Sequence, residues 1–285
     1  MKFTTFRQSG GKPEPGVLLH DSVIPLSGIG FTDLIAVLAG GQEAKTRVEN
    51  LLANPPAGTG LPLASVTLMA PIPRPPKFIC VGLNYRDHAI ESGMAIPTIP
   101  VIFAKWPQCV IGPDEQIVLP KNSSQPDYEA ELAFVIGTGG RHIPAEKWKD
   151  HVFGYTIVND VSARDVQLAT SQWIMGKSFD TFAPMGPYLV TADEIANPDN
   201  LHIGLSINGE VLQNSNTREL IFKIPELVAY LSSVFTLEPG DVISTGTPPG
   251  VGFARKPPRY LRAGDNVVVT VEGLGELRNP VVAEA

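Results

Sequence analysis

Short apolar segments rich in β-branched residues recur along the chain after residue 70, and glycine, proline, asparagine or aspartate bounds them. Such segments are typical of β-strands, because β-branched side chains favour extended backbone and the bounding residues favour turns. They are PVIFAK, QIVLP, ELAFVIG, FGYTIVND, PYLVTA, HIGLSING, EVLQNS, DVISTG and NVVVTVEG. The chain contains 27 prolines and 27 glycines, which supply the intervening turns. The sequence therefore predicts a mostly β fold with some α-helix.

A proline-rich connector separates two unlike parts of the sequence. Before residue 70, the chain shows a few short strands, for example GVLLHDSVIPL, and one amphipathic helix near FTDLIAVLAGG. The following stretch, APIPRPPKF, carries four prolines, which favour a stiff and extended backbone. We therefore expect a small N-terminal α+β domain at residues 1–70 and a larger, strand-rich domain at residues 71–285.

Local turn and helix signals complete the pattern of the larger part. In SINGEVLQ, Asn208 and Gly209 supply the two positive-φ residues of a type I′ turn, which predicts a β-hairpin. The segments PAEKWKDHV and KIPELVAYLSSVF predict helices, because Pro144 and Pro225 lie near their first turns.

Composition excludes several classes of partner. The formal net charge is -7 and no basic stripe is present, which argues against nucleic-acid binding. No run of 18 apolar residues exists, so we expect no transmembrane helix. The first residues, MKFTTFRQSGG, lack the apolar core of a secretory signal. We therefore expect a cytoplasmic protein, and location in an organelle matrix is the alternative. Cys80 and Cys109 lie in apolar surroundings, which favours buried reduced thiols over a disulfide.

Three acids are crowded into the segment QPDYEAELAFVIG. In a strand, Asp127, Glu129 and Glu131 would point to one face, directly before an apolar run. Like charges are costly to bury unless a cation lies between them. A fourth acid, Asp160, ends the apolar segment FGYTIVND. These oxygen donors suit Mg²⁺, Mn²⁺ or Ca²⁺. The alternative is a solvated strand face beside a turn-forming aspartate.

Two further segments carry residues suited to catalysis. In VGLNYRDHAIESG, His88 and Glu91 are three residues apart and share a face of a helical turn, so the carboxylate can orient the imidazole as a general base. An exposed ion pair is the alternative. Lys177, in IMGKSFDTFAPMGP, lies outside any helical pattern, where its charge could stabilise a developing anion.

The segment ISTGTPPGVG is a glycine-rich turn. It lacks the Gly-Lys-Ser/Thr end of a phosphate loop and no helix pattern follows, which argues against nucleotide binding. A turn that presents Thr245, Thr247 and backbone N–H groups to an anion is one interpretation, and a purely structural turn is the other.

Taken together, these segments resemble the fumarylacetoacetate hydrolase (FAH) family, and the ending FARKPPRYLRAGD resembles its FAH-domain-containing 2 subgroup. The resemblance covers about residues 70 to 283, in the order of the family. The motifs are VGLNYRDHAIESG, DYEAELAFVIG, GYTIVNDVSARDVQ, GKSFDTFAPMGP, LSINGEVLQNSNT and LEPGDVISTGTPPGVG. The resemblance implies a mixed β-roll catalytic domain, a homodimer, and Mg²⁺ or Mn²⁺ as cofactor.

The resemblance also implies roles for individual residues. Glu129, Glu131 and Asp160 match the metal ligands of the family, which leaves Asp127 as a non-ligand acid. The remaining matches are the base pair His88 and Glu91, the active-site lysine Lys177, and the substrate-contacting positions Arg164, Gln167 and Thr247. The fumarylacetoacetate-cleaving enzyme has a fourth acidic ligand upstream of its histidine, whereas ICVGLNY contains no acid. Fumarylacetoacetate itself is therefore not the expected substrate.

The function implied is hydrolysis of a C–C bond in an acylpyruvate or a related 2-oxo or 1,3-dicarbonyl acid through a metal-stabilised enolate. The same site could instead decarboxylate oxaloacetate or catalyse its keto–enol tautomerisation. A binding protein without activity is a third class, but every residue of the matched site is present in this sequence.

Overall fold

The computed structural model describes residues 1–285. The protein contains 19 β-strands and six α-helices. The strands are β1 (Lys2–Arg7), β2 (Glu14–Leu19), β3 (Ser22–Pro25), β4 (Leu61–Pro62), β5 (Thr67–Met69), β6 (Phe78–Gly82), β7 (Val101–Lys105), β8 (Val110–Ile111), β9 (Ile117–Leu119), β10 (Pro126–Asp127), β11 (Ala130–Ile136), β12 (Val152–Asn159), β13 (Ser162–Ala163), β14 (Ala183–Thr191), β15 (His202–Ile207), β16 (Glu210–Asn216), β17 (Val242–Ser244), β18 (Asn266–Val271) and β19 (Gly275–Ala283). The helices are α1 (Leu34–Ala39), α2 (Gly41–Ala53), α3 (Arg86–Glu91), α4 (Arg164–Gln167), α5 (Ile174–Lys177) and α6 (Ile224–Val234).

Most strands belong to one mixed sheet of 12 strands. Its main path runs β4-β3-β2-β1-β14-β12-β11-β17-β6-β7, with β5 paired to β1 and β8 paired to β14. A second sheet of five strands has the order β16-β15-β18-β19-β9, and β10 pairs with β13 alone. The prediction of a mostly β fold with some α-helix is confirmed.

The central strand β11 is buried along its whole length. Leu132 and Phe134 join a core that includes the five-stranded sheet and α6, whereas Ala133 and Val135 join a second core that includes α1 and α2. Because both faces are covered, β11 reads as a continuous apolar run rather than an alternating one. An acid at the start of such a strand is therefore held inside the protein.

The N-terminal strands extend the same large sheet. β1 pairs antiparallel with β14, and Phe3 lies opposite Leu189. The proline-rich connector between β5 and β6 places β6 beside β17, on the other side of the sheet centre. The boundary near residue 70 stays a prediction, since hydrogen bonding alone does not define domains.

Several local predictions can be compared directly with the structure. Asn208 and Gly209 have φ values of 53° and 86°, as the type I′ hairpin requires. The predicted helix after Pro144 is instead a 3₁₀-helix, Ala145–Asp150. The helix α2 was not predicted, because it buries little of its surface.

Cys80 and Cys109 are free and buried. No helix combines the length and apolar character that crossing a membrane requires.

Candidate active site

Two neighbouring strands bring three carboxylates together. Glu131 lies in β11, Glu129 directly precedes it, and Asp160 directly follows β12. β11 and β12 pair antiparallel with Glu131 opposite Val158, so the start of one strand meets the end of the other. One oxygen from each of the three carboxylates lies within 4.8 Å of the others, and all three residues are buried. This cluster is hereafter called the acidic triad.

Asp127 is not part of this cluster, and the idea that all three acids of QPDYEAELAFVIG share one strand is wrong. Asp127 belongs to β10, which pairs with β13, and Glu129 lies between the two strands. The Asp127 carboxylate accepts hydrogen bonds from the backbone N–H of Gly252 at 2.7 Å and from Arg164 Nε at 2.8 Å. The Asp127 carboxylate therefore links Arg164, on α4, to the glycine-rich turn that ends at Gly252.

Lys177 and Arg164 are buried cations that contact the triad. Lys177 Nζ lies 2.7 Å from Glu129 Oε2 and 2.8 Å from Asp160 Oδ2, and Arg164 Nη2 lies 2.6 Å from Glu129 Oε1. Burial alone would raise the pKa of Glu129, but the charges of Lys177 and Arg164 outweigh it and lower the pKa to about 2. Burial, together with the carboxylates of Asp160 and Glu129, raises the pKa of Glu131 well above its usual value. Without further positive charge, ionisation of all three carboxyl groups of the triad is therefore unfavourable.

Lys177 was expected outside a helix, and this expectation is wrong. It is the last residue of α5, a single turn that also contains Gly176. A Cβ at Gly176 would lie 2.4 Å from the backbone nitrogen of Gln167, so glycine allows α5 to pack against α4. This close packing brings Lys177 to the same acids that Arg164 contacts.

The glycine-rich turn after β17 contacts the carboxyl group of Glu131, a residue of the protein itself. The backbone N–H of Gly246 donates to Glu131 Oε2 at 2.9 Å, and the Ser244 hydroxyl donates to the same oxygen. Gly246 has a φ of 101°, and a Cβ there would lie 2.8 Å from Asn84 Cβ, so only glycine fits. The Thr245 hydroxyl bonds to the Leu132 carbonyl and does not face a ligand.

His88 and Glu91 form a pair on α3. His88 Nδ1 lies 3.2 Å from Glu91 Oε2. The backbone N–H of Gly250 donates to both Glu91 oxygens, at 2.9 and 3.1 Å. Gly250 has a φ of 101°, and a Cβ there would lie 2.0 Å from the Leu212 carbonyl oxygen. The glycine-rich turn therefore fixes Glu91 as well as Glu131.

Sequence reasoning missed two buried residues that support the site. Lys105 Nζ donates to Asp160 Oδ1 at 2.6 Å, and both side chains are fully buried. Gln213 Nε2 donates to Thr247 Oγ1 at 2.9 Å, while Gln213 Oε1 accepts from the backbone N–H of Ala130 at 2.9 Å. Lys105 lies outside the motifs that carry the family resemblance, and its only signal was a lysine at the end of the apolar strand VIFAK. Gln213 lies within one of these motifs, LSINGEVLQNSNT, but nothing in the motif assigned it a role.

Lys105→Met is expected to lower the free energy of unfolding by about 3–5 kcal/mol, because it leaves the buried Asp160 carboxylate without its closest cation. Urea unfolding in buffer that contains EDTA measures this change. Lys45→Met is the control: Lys45 pairs with Asp193 at 3.4 Å on the surface, and we expect a change below about 1 kcal/mol. Equal, small changes in both variants would contradict the role given to Lys105.

A cavity of about 410 Å³ opens over the acidic triad. Seven of the nine residues expected at the site line it: His88, Glu129, Glu131, Arg164, Gln167, Lys177 and Thr247. The other two contact lining residues: Asp160 contacts Lys177, and Glu91 contacts His88. The structure thus brings all nine positions to one place, and their individual roles remain predictions.

A family model and several known proteins match this chain. The model described as fumarylacetoacetate (FAA) hydrolase C-terminal matches residues 77–282. The chain belongs to the fumarylacetoacetate hydrolase family. A mitochondrial oxaloacetate tautomerase, fahd2 of Xenopus laevis, is 50% identical over 221 residues, which cover 77% of this chain and 69% of that protein.

Two solved structures of the FAH family share the fold over the full length of both chains. The fumarylacetoacetate hydrolase of Exiguobacterium antarcticum is 37% identical, with a TM-score of 0.87. The maleylpyruvate hydrolase of Sphingobium sp. SYK-6, in complex with manganese(II) and pyruvate, is 31% identical, with a TM-score of 0.84. Family membership, the fold and the prediction that the chain is an enzyme of this family are confirmed.

The donor set of the triad fits Mg²⁺ or Mn²⁺. It offers three buried carboxylates, which are the hard oxygen donors that these ions prefer. Near the triad, four buried acids face three buried bases: Asp127, Glu129, Glu131 and Asp160 against Lys105, Arg164 and Lys177. The excess of negative charge favours a cation. The predicted divalent-cation cofactor is therefore confirmed by the triad and by the manganese in the related hydrolase.

Proposed function

We propose that this protein is a divalent-metal-dependent hydrolase that cleaves a C–C bond in an acylpyruvate or a related 2-oxo acid. The observation that supports this proposal is one cavity lined both by acids suited to a cation and by a histidine held by a carboxylate. Hydrolysis of a 1,3-dicarbonyl needs both features: a positive centre for the oxygens of the 2-oxo acid, and a base for water.

Glu129, Glu131 and Asp160 would hold the cation. When bound, the cation supplies Lewis acidity toward the carboxylate and 2-oxo oxygens of a substrate. The residues around the ligands fix their positions: Gly246 and Ser244 hold Glu131, and Lys105 holds Asp160. Such outer partners orient ligand oxygens and strengthen binding.

His88 is the general base of the proposal. A carboxylate can only accept a hydrogen bond, so in the neutral form of His88 the pairing with Glu91 favours the proton on Nδ1 and leaves Nε2 as an acceptor. His88 is 7% exposed and lines the cavity, where it can take a proton from a water molecule. The resulting hydroxide attacks the distal carbonyl carbon, and the C–C bond breaks with its electron pair on the 2-oxo acid fragment. His88 then returns the proton to that fragment.

Lys177 and Arg164 supply positive charge close to this fragment. Both are buried beside the triad, and both line the cavity. Negative charge that develops on the oxygens of the fragment is stabilised by such fixed, buried cations. Gln167 Oε1 accepts from Arg164 Nη1 at 2.9 Å, which keeps the guanidinium in place and leaves the Gln167 amide N–H groups available to a substrate.

Tautomerisation of oxaloacetate is the second candidate, and the 50% identical oxaloacetate tautomerase of Xenopus laevis supports it. It needs the same groups, because His88 would move a proton between carbon and oxygen of the substrate instead of taking one from water. Decarboxylation of oxaloacetate would use the same positive centre.

Purified protein with Mg²⁺ or Mn²⁺, incubated separately with acetylpyruvate and oxaloacetate, tests these alternatives. Enol absorbance and pyruvate formation are followed together, with His88→Ala as the control. Cleavage of acetylpyruvate that depends on His88 is the expected result. Loss of the oxaloacetate enol without pyruvate would identify a tautomerase, and loss with pyruvate a decarboxylase. No change in either substrate would contradict both candidates.

We also propose a homodimer, in which a second copy covers an exposed apolar segment, two of whose residues, Met94 and Val101, also line the cavity. Of ten exposed large hydrophobic side chains, five lie in one short segment: Ile90, Met94, Ile96, Ile99 and Val101. Surfaces of this kind usually mark an interaction site.

Light scattering should give twice the chain mass of 30.6 kDa. Ile90→Asp should shift the mass toward the monomer and Val234→Asp, on α6, should not; a monomeric wild type would contradict the proposal.

A cytoplasmic location stays a prediction. The relative from Xenopus laevis is described as mitochondrial, which keeps an organelle matrix open as the alternative.

A further inference from the structure

The cavity has an apolar half that the chemistry proposed above does not use. Its lining includes six large apolar side chains: Val81, Met94, Val101, Phe103, Leu168 and Trp173. A cavity of about 410 Å³ also has more room than a four-carbon acid needs. The apolar half therefore requires its own explanation.

The two halves meet at Phe103. Lys177 Nζ lies 4.9 Å from the centre of the Phe103 ring, and the Trp173 ring packs against the same phenyl edge-on at 5.5 Å. Trp173 and Lys177 lie four residues apart on one turn and face the same way, and the Lys177 N–H donates to the Trp173 carbonyl at 3.2 Å. The apolar wall thus starts beside the ammonium that contacts the acidic triad.

Gly82, at the end of β6, makes room for the indole. A Cβ at Gly82 would lie 2.5 Å from Trp173 Cζ3. Any larger residue at position 82 would push the Trp173 ring away from β6. The position of the ring therefore depends on the glycine at position 82 as well as on the tryptophan itself.

The cationic side chains that line the cavity all lie at its acidic end, where the 2-oxo acid would bind. The basic lining residues are His88, Arg164 and Lys177. His88 pairs with Glu91, Arg164 with Asp127 and Glu129, and Lys177 with Glu129 and Asp160. A charged group placed against the apolar wall would lose its water without gaining a partner.

From this arrangement we infer that Trp173 determines specificity, and that the substrate is a 2-oxo acid whose far end is an uncharged apolar chain, packed on Trp173 and Phe103, and not a second carboxylate. The inference rests on the proposed function, because a cation held by the acidic triad would have to bind the 2-oxo acid end. Each methylene buried on the wall should tighten binding about fourfold.

Binding of 2-oxo acids to the Mn²⁺-loaded protein, measured by calorimetry, tests the inference without requiring turnover. The series is pyruvate, 2-oxobutanoate, 2-oxopentanoate and 2-oxohexanoate. A matched pair of similar shape, 5-methyl-2-oxohexanoate and 2-oxoglutarate, compares an apolar end with a charged one. We expect affinity to rise along the series, and the apolar member of the pair to bind at least about tenfold more tightly.

Two variants locate the effect at the wall. Trp173→Ala should remove the gain for the longer acids and leave pyruvate unchanged, and Gly82→Ala should act in the same direction by displacing the ring. Trp106→Ala, a substitution of an exposed tryptophan outside the cavity lining, is the control. With acylpyruvates of increasing length, Trp173→Ala should raise KM more for long chains than for acetylpyruvate.

The outcomes separate this inference from the proposed function. A tighter 2-oxoglutarate complex, a flat series, or a series unaffected by Trp173→Ala would overturn the inference, even in an active hydrolase. A rising series that depends on Trp173, in a protein that cleaves no acylpyruvate, would support the inference and contradict the hydrolase proposal. No binding of any 2-oxo acid would overturn both.

Discussion

Glu129→Ala is expected to abolish cation binding and to lower kcat/KM by about 10³-fold or more. Glu129 belongs to the acidic triad, and loss of even an outer partner of a metal ligand costs 10–100-fold in affinity in other sites. Lewis-acid stabilisation is worth several kcal/mol, and each 1.4 kcal/mol changes a rate about tenfold. Calorimetry with Mn²⁺ and the acetylpyruvate assay measure the two effects.

Thermal unfolding gives the same prediction an independent readout. Mn²⁺ at about 100 times its Kd should stabilise the wild type by about 2.7 kcal/mol and should not stabilise the Glu129→Ala protein. Asp127→Asn is the matched control, since Asp127 is buried two residues away but bonds to Arg164 and Gly252. It should still bind Mn²⁺ despite lower stability. An active Glu129→Ala protein in EDTA would contradict the assignment of the metal site.

The strands of the site were predictable because their signals are local. The segments ELAFVIG and FGYTIVND form β11 and β12, and the hairpin at Asn208 follows from two adjacent residues that accept positive φ. Runs of this kind carry their preference in neighbouring side chains. Convergence of Glu131 and Asp160 then follows from antiparallel pairing of two strands that are close in sequence.

The supporting contacts could not be predicted, because they join residues that are far apart in the chain. Lys105 contacts Asp160 across 55 positions, and Gln213 contacts Ala130 across 83. Neither residue lies in a periodic pattern that specifies its partner. The same reason applies to Asp127, whose role depends on Arg164 and Gly252. Only the packing of α4, α5 and the glycine-rich turn around β11 determines which acid is free to bind a cation.

His88→Ala is expected to lower kcat by about 10²–10⁴-fold while the affinity for Mn²⁺ stays within a few-fold of wild type. The reason is geometric: His88 lines the cavity and pairs with Glu91, but it is not a member of the acidic triad. Loss of the imidazole therefore removes the proton-transfer group and leaves the cation ligands intact. Steady-state kinetics and calorimetry on the same preparation measure both quantities.

Two further variants define what this result means. Glu91→Gln keeps a side chain that can bond to the Gly250 N–H and to the imidazole but removes the charge, so we expect a smaller loss of kcat than in His88→Ala. His202→Ala is the control, because His202 is exposed and bonds to Asn214 on β16. Its kcat should equal that of the wild type. If His88→Ala kept full activity, the base would have to be another group, and the His88–Glu91 pair would serve only to hold α3 against the glycine-rich turn.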